Sequence, residues 1–221
     1  MYKVTDLFDL SHTRAADYLA SFTYPHEALK GIKALIEEIG ASLPADEYEH
    51  PQEFVWIARD AQIAPTAFIG DHVIIDHGTE VRQCAFIRGD ALVGDHSVVG
   101  NSAELKNVII SNHCEVPHYN YVGDSILGFH AHMGAGAITS NIKADRKNIV
   151  IKDKDREYVT GLRKIGAMLG DHVEVGCNSV LNPGTVVGRW TNIYPLSMVR
   201  GVVPEHCIYK NKDDIVIKRE D

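Results

Sequence analysis

Apolar residues recur at every sixth position along most of the chain. They fall at Ile57, Ile63, Ile69, Ile75, Val81, Ile87, Val93, Val99 and Leu105, where a five-residue step leads to Ile110 and the period resumes through Val116 and Val122. A second five-residue step leads to Leu127 and Met133, and after an interruption the series returns at Leu169, Val175, Leu181, Val187, Ile193 and Val199. The residue that follows is often small or acidic, as at Gly70, Asp76, Gly94, Gly100, Gly123, Gly134 and Gly176. A period of six fits neither an amphipathic helix, near 3.6 residues, nor an isolated strand, near 2. It predicts an all-β fold, a parallel β-helix of hexapeptide repeats. Three short strands make one triangular coil, each aliphatic points into the prism, and the small residue turns the corner. One coil cannot bury its own apolar residues, so stability comes from stacking. A β-sandwich would have to place nine successive aliphatics in this register by accident.

Three stretches leave the period. Residues 1–50 carry a helical pattern, Leu29, Ile32, Leu35, Ile36 and Ile39, preceded by Tyr24-Pro25 and closed by Gly40. This predicts a small helical cap over the open end of the prism. The repeat domain is placed at 51–205. Within it, residues 142–165 are charged and break the period, which predicts an external loop or hairpin, either a solvated excursion or a wall on a site between prisms. Residues 206–221 are read as a tail that leaves the repeat and forms either a strand or an irregular wrap against the prism or a neighbour.

The chain of 221 residues is 45% hydrophobic and 24% charged, which excludes wholesale disorder. Lys plus Arg number 22 against 30 Asp plus Glu, a net charge of −8. That removes a bulk electrostatic case for nucleic acid or an anionic membrane and still leaves room for a local basic pocket. No apolar run approaches the roughly 20 residues that span a bilayer, and the N-terminus, MYKVTDLFDL, lacks a signal pattern. Cys84, Cys114, Cys177 and Cys207 are far apart with no CxxC, so reduced thiols in a cytoplasmic protein are expected.

A β-helix implies no reaction by itself, so chemistry must come from polar residues that interrupt the repeat. The densest group is Arg88, Lys106, His118, Tyr121, Asn141 and Lys147. Arg88 and Lys106 are 18 residues apart, one full coil, and should stack side by side. Two stacked cations invite an anion, phosphate first; the alternative is a pair of exterior residues matched to Asp90 or Glu104. His118 follows its aliphatic by two and should point outward, where an imidazole can serve as a general base near neutral pH. The chain has 12 histidines, and most exposed histidines do nothing of the kind.

The stretch from Arg88 to Asn141, with its VPHYNYVGD and GAGAITSN segments, resembles the acetyltransferase half of the bacterial bifunctional glucosamine-1-phosphate acetyltransferase/N-acetylglucosamine-1-phosphate uridylyltransferases. The segment GLRKIGAMLGDHVEVGCNSVLNPGTVVG resembles the archaeal sugar-1-phosphate nucleotidylyltransferase/acetyltransferases more closely still. The resemblance covers roughly residues 55–205. It implies a left-handed β-helix, a homotrimer, and acetyl transfer from acetyl-CoA to the amine of a hexosamine 1-phosphate. It places the catalytic base on His118 and a supporting asparagine on Asn141. The sugar phosphate falls to Arg88, Lys106, Tyr121 and Lys147, with His132 also on the sugar side. Coenzyme A falls to Ala135, Cys177 and Tyr194, and the Ala135 backbone N–H is the candidate oxyanion donor. No metal is needed for this step.

The bacterial pattern has asparagine where this chain has His132, and tyrosine where it has Ile142, which leaves the hexosamine open. Fifty residues cannot make a nucleotidyltransferase domain, so no pyrophosphorylase activity is expected from this chain alone, and a separate nucleotidyltransferase is a possible partner. Two rivals stand. One is a γ-type carbonic anhydrase, since His77, His113 and His118 are spaced by 36 and 5 with Arg88-Gly89-Asp90 nearby. The other is a non-catalytic subunit that binds sugar phosphates or partners a nucleotidyltransferase.

Overall fold

The computed structural model describes residues 1–219. It is the left-handed parallel β-helix that the resemblance implies. One face is a stack of short strands running from Gln62–Ile63 through Glu80–Val81, Val98–Asn101, Glu115–His118, His132–Met133, Glu174–Val175 and Asn192–Ile193. The other two faces share longer strands, Phe68–Ile75, Phe86–Val93, Glu104–Ile110 and Tyr121–Leu127, each of which bends round a corner. Beyond them these faces separate, and Tyr121–Leu127 pairs with Ile138–Thr139 on one and Ala167–Leu169 on the other. The register follows the period: Val81 pairs with Val99 at a step of 18, and Val99 with Val116 at a step of 17, where a five-residue interval shortens the coil.

The periodic aliphatics form one interior core running from Val55 to Tyr209. Only Ile57, Ile63 and Ile69, in the first turns, are partly exposed. A second core lies outside the prism. On one face the residue before each interior aliphatic is also apolar: Ile74, Leu92, Ile109, Ile126, Met168 and Val186 are at most 1% exposed. They are covered by Leu7, Leu19, Leu29, Ile32 and Ile36 of the N-terminal segment. That segment holds the helices Val4–Leu7, Ala16–Ala20 and Ile32–Ser42. It lies along a flank of the prism and not over its open end, which corrects the expected cap. The reason is energetic. A row of large aliphatics, each worth about 1.5–3 kcal/mol when buried, demands a cover more strongly than a single open coil does.

The first fifteen residues run along the prism as a strap. The Tyr2 hydroxyl accepts the Glu205 N–H at 2.8 Å, the Asp171 carboxylate accepts the Asp9 N–H at 2.7 Å, and the His12 carbonyl accepts the Asn112 N–H at 3.0 Å. At the far end Arg14 Nε reaches both oxygens of Asp76, at 2.7 and 2.6 Å, and Tyr48 hydrogen-bonds the same carboxylate. Asp76 is fully buried, and that burial pushes its carboxyl above the usual range despite Arg14 and Tyr48.

The charged interruption at 142–165 holds an antiparallel hairpin, Val150–Asp153 with Arg156–Val159. Much of it is exposed, as a solvated excursion would be, but it is anchored to the prism. Ile149, Ile151 and Ile165 join the flank core, and the Met1 ammonium pairs with Asp153. Gly184 makes this possible: its φ is +79°, and a Cβ there would lie 2.8 Å from Ile149 Cγ2. The tail at 206–221 takes the strand form of the two expected, but it continues the repeat instead of leaving it. Cys207–Asn211 adds one more parallel rung, with buried Cys207 and Tyr209 in the core, and Asp214–Ile217 folds back on it. Residues 220 and 221 lie outside the described residues. No helix among the described residues is long and apolar enough to cross a membrane.

Candidate functional site

The chain turns one vertex of the prism in the same way in successive coils. An interior aliphatic is followed by a compact residue (Gly100, Pro117, Gly134 or Gly176), then by an outward residue, then by one at positive φ. A Cβ at Gly100 would sit 1.7 Å from the Pro117 carbonyl oxygen, so the coils stack here with no room to spare. The outward residues are Asn101, His118, Ala135 and Cys177. The next N–H up the stack caps each of their carbonyls: Tyr119 to Asn101 and Gly136 to His118 at 2.9 Å, Asn178 to Ala135 at 2.8 Å, and Leu196 to Cys177 at 2.9 Å. His118, Ala135 and Cys177 therefore stand in one line, each one coil, about 4.8 Å, from the next.

The His118 side chain is exposed and makes no hydrogen bond among the described residues. Its backbone is held firmly. The His118 N–H donates to Asn120 Oδ1 at 2.9 Å, and the Asn120 amide donates to the carbonyls of Gly134 and Ala137 at 2.8 and 2.9 Å. Asn120, itself buried, thus ties the coil of His118 to the coil of Ala135. The Ala135 N–H has no acceptor among the described residues. Pro65 and Pro195 occupy the same turn position in other coils, where no N–H exists at all.

Past the vertex lies a polar cluster built round Asp124. Lys106 Nζ and Asn107 Nδ2 each reach Asp124 Oδ1 at 2.9 Å, and Asn141 Nδ2 reaches Asp124 Oδ2 at 2.5 Å. Asn141 also donates to the Tyr121 hydroxyl at 3.0 Å. Arg88 pairs with Glu104 at 2.9 Å, and Glu104 is the ladder partner of Tyr121. Burial, and then the Asp124 and Glu104 carboxylates, push the Tyr121 hydroxyl above its ordinary value, so it keeps its proton at neutral pH.

Four sequence expectations change. Arg88 and Lys106 do not share a register position: Ile87 pairs with Leu105, but Gly89 pairs with Lys106, and Arg88 is the extra residue of a bulge. The five-residue step after Leu105 causes this, because the later coil is one residue short. Both cations are also already matched to carboxylates, as the alternative reading of exterior residues had it for Arg88 and Glu104. Lys147 is not brought to the cluster; it is exposed in a turn where its N–H donates to Asp145. His132 lies on another face, bonded to Glu174 at 2.7 Å, in a groove of about 300 Å³ that Cys177 and Tyr194 also line. It groups with the coenzyme candidates and not with the sugar side. A larger hollow of about 420 Å³, lined by Gln62, Glu80, Arg82 and Gln83, contains none of the candidates.

The carbonic anhydrase rival finds no support within one chain. His113 and His118 stand at opposite ends of the stretch that contains the strand Glu115–His118, and His77 is held by Asp60 at 2.9 Å. Among the described residues no group of three His, Cys, Asp or Glu side chains could hold a metal ion. Sequence reasoning missed the roles of Asp124, Asn120 and Asn107. All three lie inside the stretch that carried the resemblance, the first two within VPHYNYVGD, but only the fold shows what they bind.

The chain is 33% identical over 175 residues to the bifunctional protein GlmU of Methanococcus aeolicus, covering 71% of this chain and 42% of that one. It is 32% identical over 145 residues to a bifunctional sugar-1-phosphate nucleotidylyltransferase/acetyltransferase of Sulfurisphaera tokodaii, covering 66% and 36%. The chain thus spans well under half the length of these relatives. Among solved structures, the polySia-specific acetyltransferase NeuO is 16% identical with a TM-score of 0.45, covering 76% of this chain and 88% of that one. The family model described as the GMPPB C-terminal domain matches residues 52–203, nearly the whole prism, and the chain belongs to that family.

Proposed function

We propose that the chain is a sugar N-acetyltransferase that moves the acetyl group of acetyl-CoA to the amine of a hexosamine 1-phosphate, glucosamine 1-phosphate first, within UDP-N-acetylhexosamine synthesis. It corresponds to the acetyltransferase half of its longer relatives. The observation that carries this reading is the line of His118, Ala135 and Cys177 at one vertex: an exposed imidazole one coil from an unused backbone N–H. The substrate amine attacks the thioester carbonyl as His118 takes its proton, and the C–N bond forms. The oxyanion is held by the Ala135 N–H, whose direction is fixed before the reaction begins. The C–S bond then breaks and the imidazolium returns the proton to the leaving thiolate. Asn141 supports this side of the site through Tyr121. The coenzyme lies in the groove of Cys177, Tyr194 and His132, and the acceptor contacts Lys106, Tyr121 and Arg88, with Lys147 joining only from an ordered neighbour or a moved loop.

The reading includes a homotrimer, with the groove completed by a neighbouring prism, a cytoplasmic setting, and a separate nucleotidyltransferase as the downstream partner. A second reading is favoured by one observation. Arg88 and Lys106 are balanced by Glu104 and Asp124, so the cluster carries no surplus positive charge for a phosphate. On that reading the acceptor is an amino sugar held by neutral hydrogen bonds. Thiol release from acetyl-CoA, measured with a panel of hexosamine 1-phosphates and the matching free hexosamines, separates the two. Turnover of the phosphates alone supports the first reading, turnover of both supports the second, and turnover of neither leaves a binding subunit.

A further inference from the structure

We propose that Asp124 is a positioning residue that sets the direction of a hydrogen-bond chain, so that Tyr121 presents its O–H outward as a donor to an acceptor oxygen of the sugar substrate. The proposal rests on the reading that Tyr121 faces that substrate. The direction itself follows from the chain's own atoms. The Asp124 side chain is 5% exposed and pairs with the Lys106 ammonium at 2.9 Å. An ionised carboxylate accepts and cannot donate. Asn107 fills a second position on Oδ1, and Oδ2 is left for Asn141. Asn141 must therefore turn its amide nitrogen, and not its oxygen, toward Asp124, an orientation that the hydrogen-bond network alone decides. The same nitrogen lies 3.0 Å from the Tyr121 oxygen. An amide N–H can only donate, so the Tyr121 oxygen accepts and its own proton is not used there. No other partner takes that proton among the described residues. The phenol also packs closely over Gly123, where a Cβ would come within 2.4 Å of the Tyr121 hydroxyl. The outward group is a fixed donor, which selects an oxygen lone pair: a phosphate oxygen or a ring hydroxyl oxygen.

Asp124→Asn reverses the chain at almost constant volume. Lys106 and Asn107 hold the new side-chain oxygen, its NH₂ faces Asn141, and Asn141 flips to offer its oxygen. That oxygen then accepts from Tyr121, whose proton turns inward. The test has two arms. In the first, side-chain amide exchange of Asn141 and the Cζ shift of Tyr121 are read by NMR on the ligand-free protein. We expect slowly exchanging Asn141 amide protons and a hydroxyl that accepts in the wild type, with both signatures lost in Asp124→Asn. The wild-type measurement needs no variant; rapid exchange of the Asn141 amide there overturns the proposal. In the second arm, acetyl transfer is measured with hexosamine 1-phosphate and free hexosamine. We expect the acceptor KM to rise about tenfold in Asp124→Asn, with the acetyl-CoA KM unchanged. Tyr121→Phe should give a similar rise, and the double variant should be no worse than Tyr121→Phe alone. A rise confined to the phosphate identifies a phosphate oxygen as the atom bound, and a rise with both acceptors identifies a ring hydroxyl. Equal changes in both KM values, or effects of the two substitutions that multiply, overturn the proposal. A wild type that transfers nothing sinks the functional reading, while the NMR arm still decides the direction of the chain.

Discussion

Two vertices of the same prism carry stacks of side chains one coil apart, and they differ in why those residues are there. At one vertex stand Asn101, His118, Ala135 and Cys177. At another, His96, His113, His130, His172, Trp190 and His206 form a ladder in which neighbouring rings lie 5.1, 4.9, 5.3, 3.7 and 6.4 Å apart and nearly parallel. Every ladder residue has a φ between +51° and +59°. The backbone must enter the left-handed region at these corners, and histidine joins Asn and Asp among the non-glycine residues found there several times more often than average. With His72, six of the 12 histidines sit at such corners. His118 does not. Its backbone is extended, any residue would fit, and its identity has to be explained by chemistry. His12 of the strap stacks on Phe129 at 3.7 Å, beside His113 and His130, although most of the ladder side chains remain exposed.

The comparison is sharpest in activity. His118→Ala should lower acetyl transfer by about two to four orders of magnitude, while melting stays within a degree or two of wild type. His113→Asn, which keeps a residue suited to the left-handed corner, should leave acetyl transfer unchanged. Equal losses in the two variants, followed by thiol release, would erase the distinction between the vertices.

Stability should respond in the opposite sense. Asp171 is buried beneath the strap and accepts the N–H groups of Asp9 and Phe129 at 2.7 and 2.9 Å. Asp171→Ala strands both donors, at a cost of about 1–3 kcal/mol for each one left buried. We expect an earlier denaturant midpoint and faster amide exchange over residues 5–13, with the catalytic rate unaffected at temperatures where the protein is folded.

A smaller effect concerns pH. Burial, and then the charges of His130 and His96, hold the His113 imidazole below its ordinary value. Burial and then His130 do the same for His172. Asp95 faces the first and opposes the shift; Asp171 opposes it at the second, where Arg189 and His12 reinforce it. The unfolded chain takes up protons near the ordinary value of about 6.5, while the native ladder resists them. Stability from this source is therefore complete above about pH 6.5 and declines as pH falls below it. His113→Asn/His172→Asn should flatten the fall in stability between pH 7 and 5, measured by urea denaturation at each pH. An unchanged slope would show that the ladder's charges do not couple to folding.

Period six determined the coil, the interior residues and their order, because an inward position in a stacked prism is a purely local requirement repeated once per face. It also placed His118 two residues after its aliphatic; Ala135 and Cys177, which the resemblance supplied, share that offset. The doubly apolar pairs Ile74-Ile75, Leu92-Val93, Ile109-Ile110 and Ile126-Leu127 were visible too, and could have revealed the flank that the N-terminal segment covers. Tertiary structure alone decided the rest. A five-residue step puts Arg88 in a bulge and out of line with Lys106, an offset that appears only when neighbouring coils are paired. Asp124 gathers Lys106 and Asn107 from the coil before it and Asn141 from the coil after it, and His132 turns to Glu174 on a different face. These contacts join residues 17 to 42 positions apart, and hydrogen bonds and charges act over a few ångströms of space, whatever the distance along the chain.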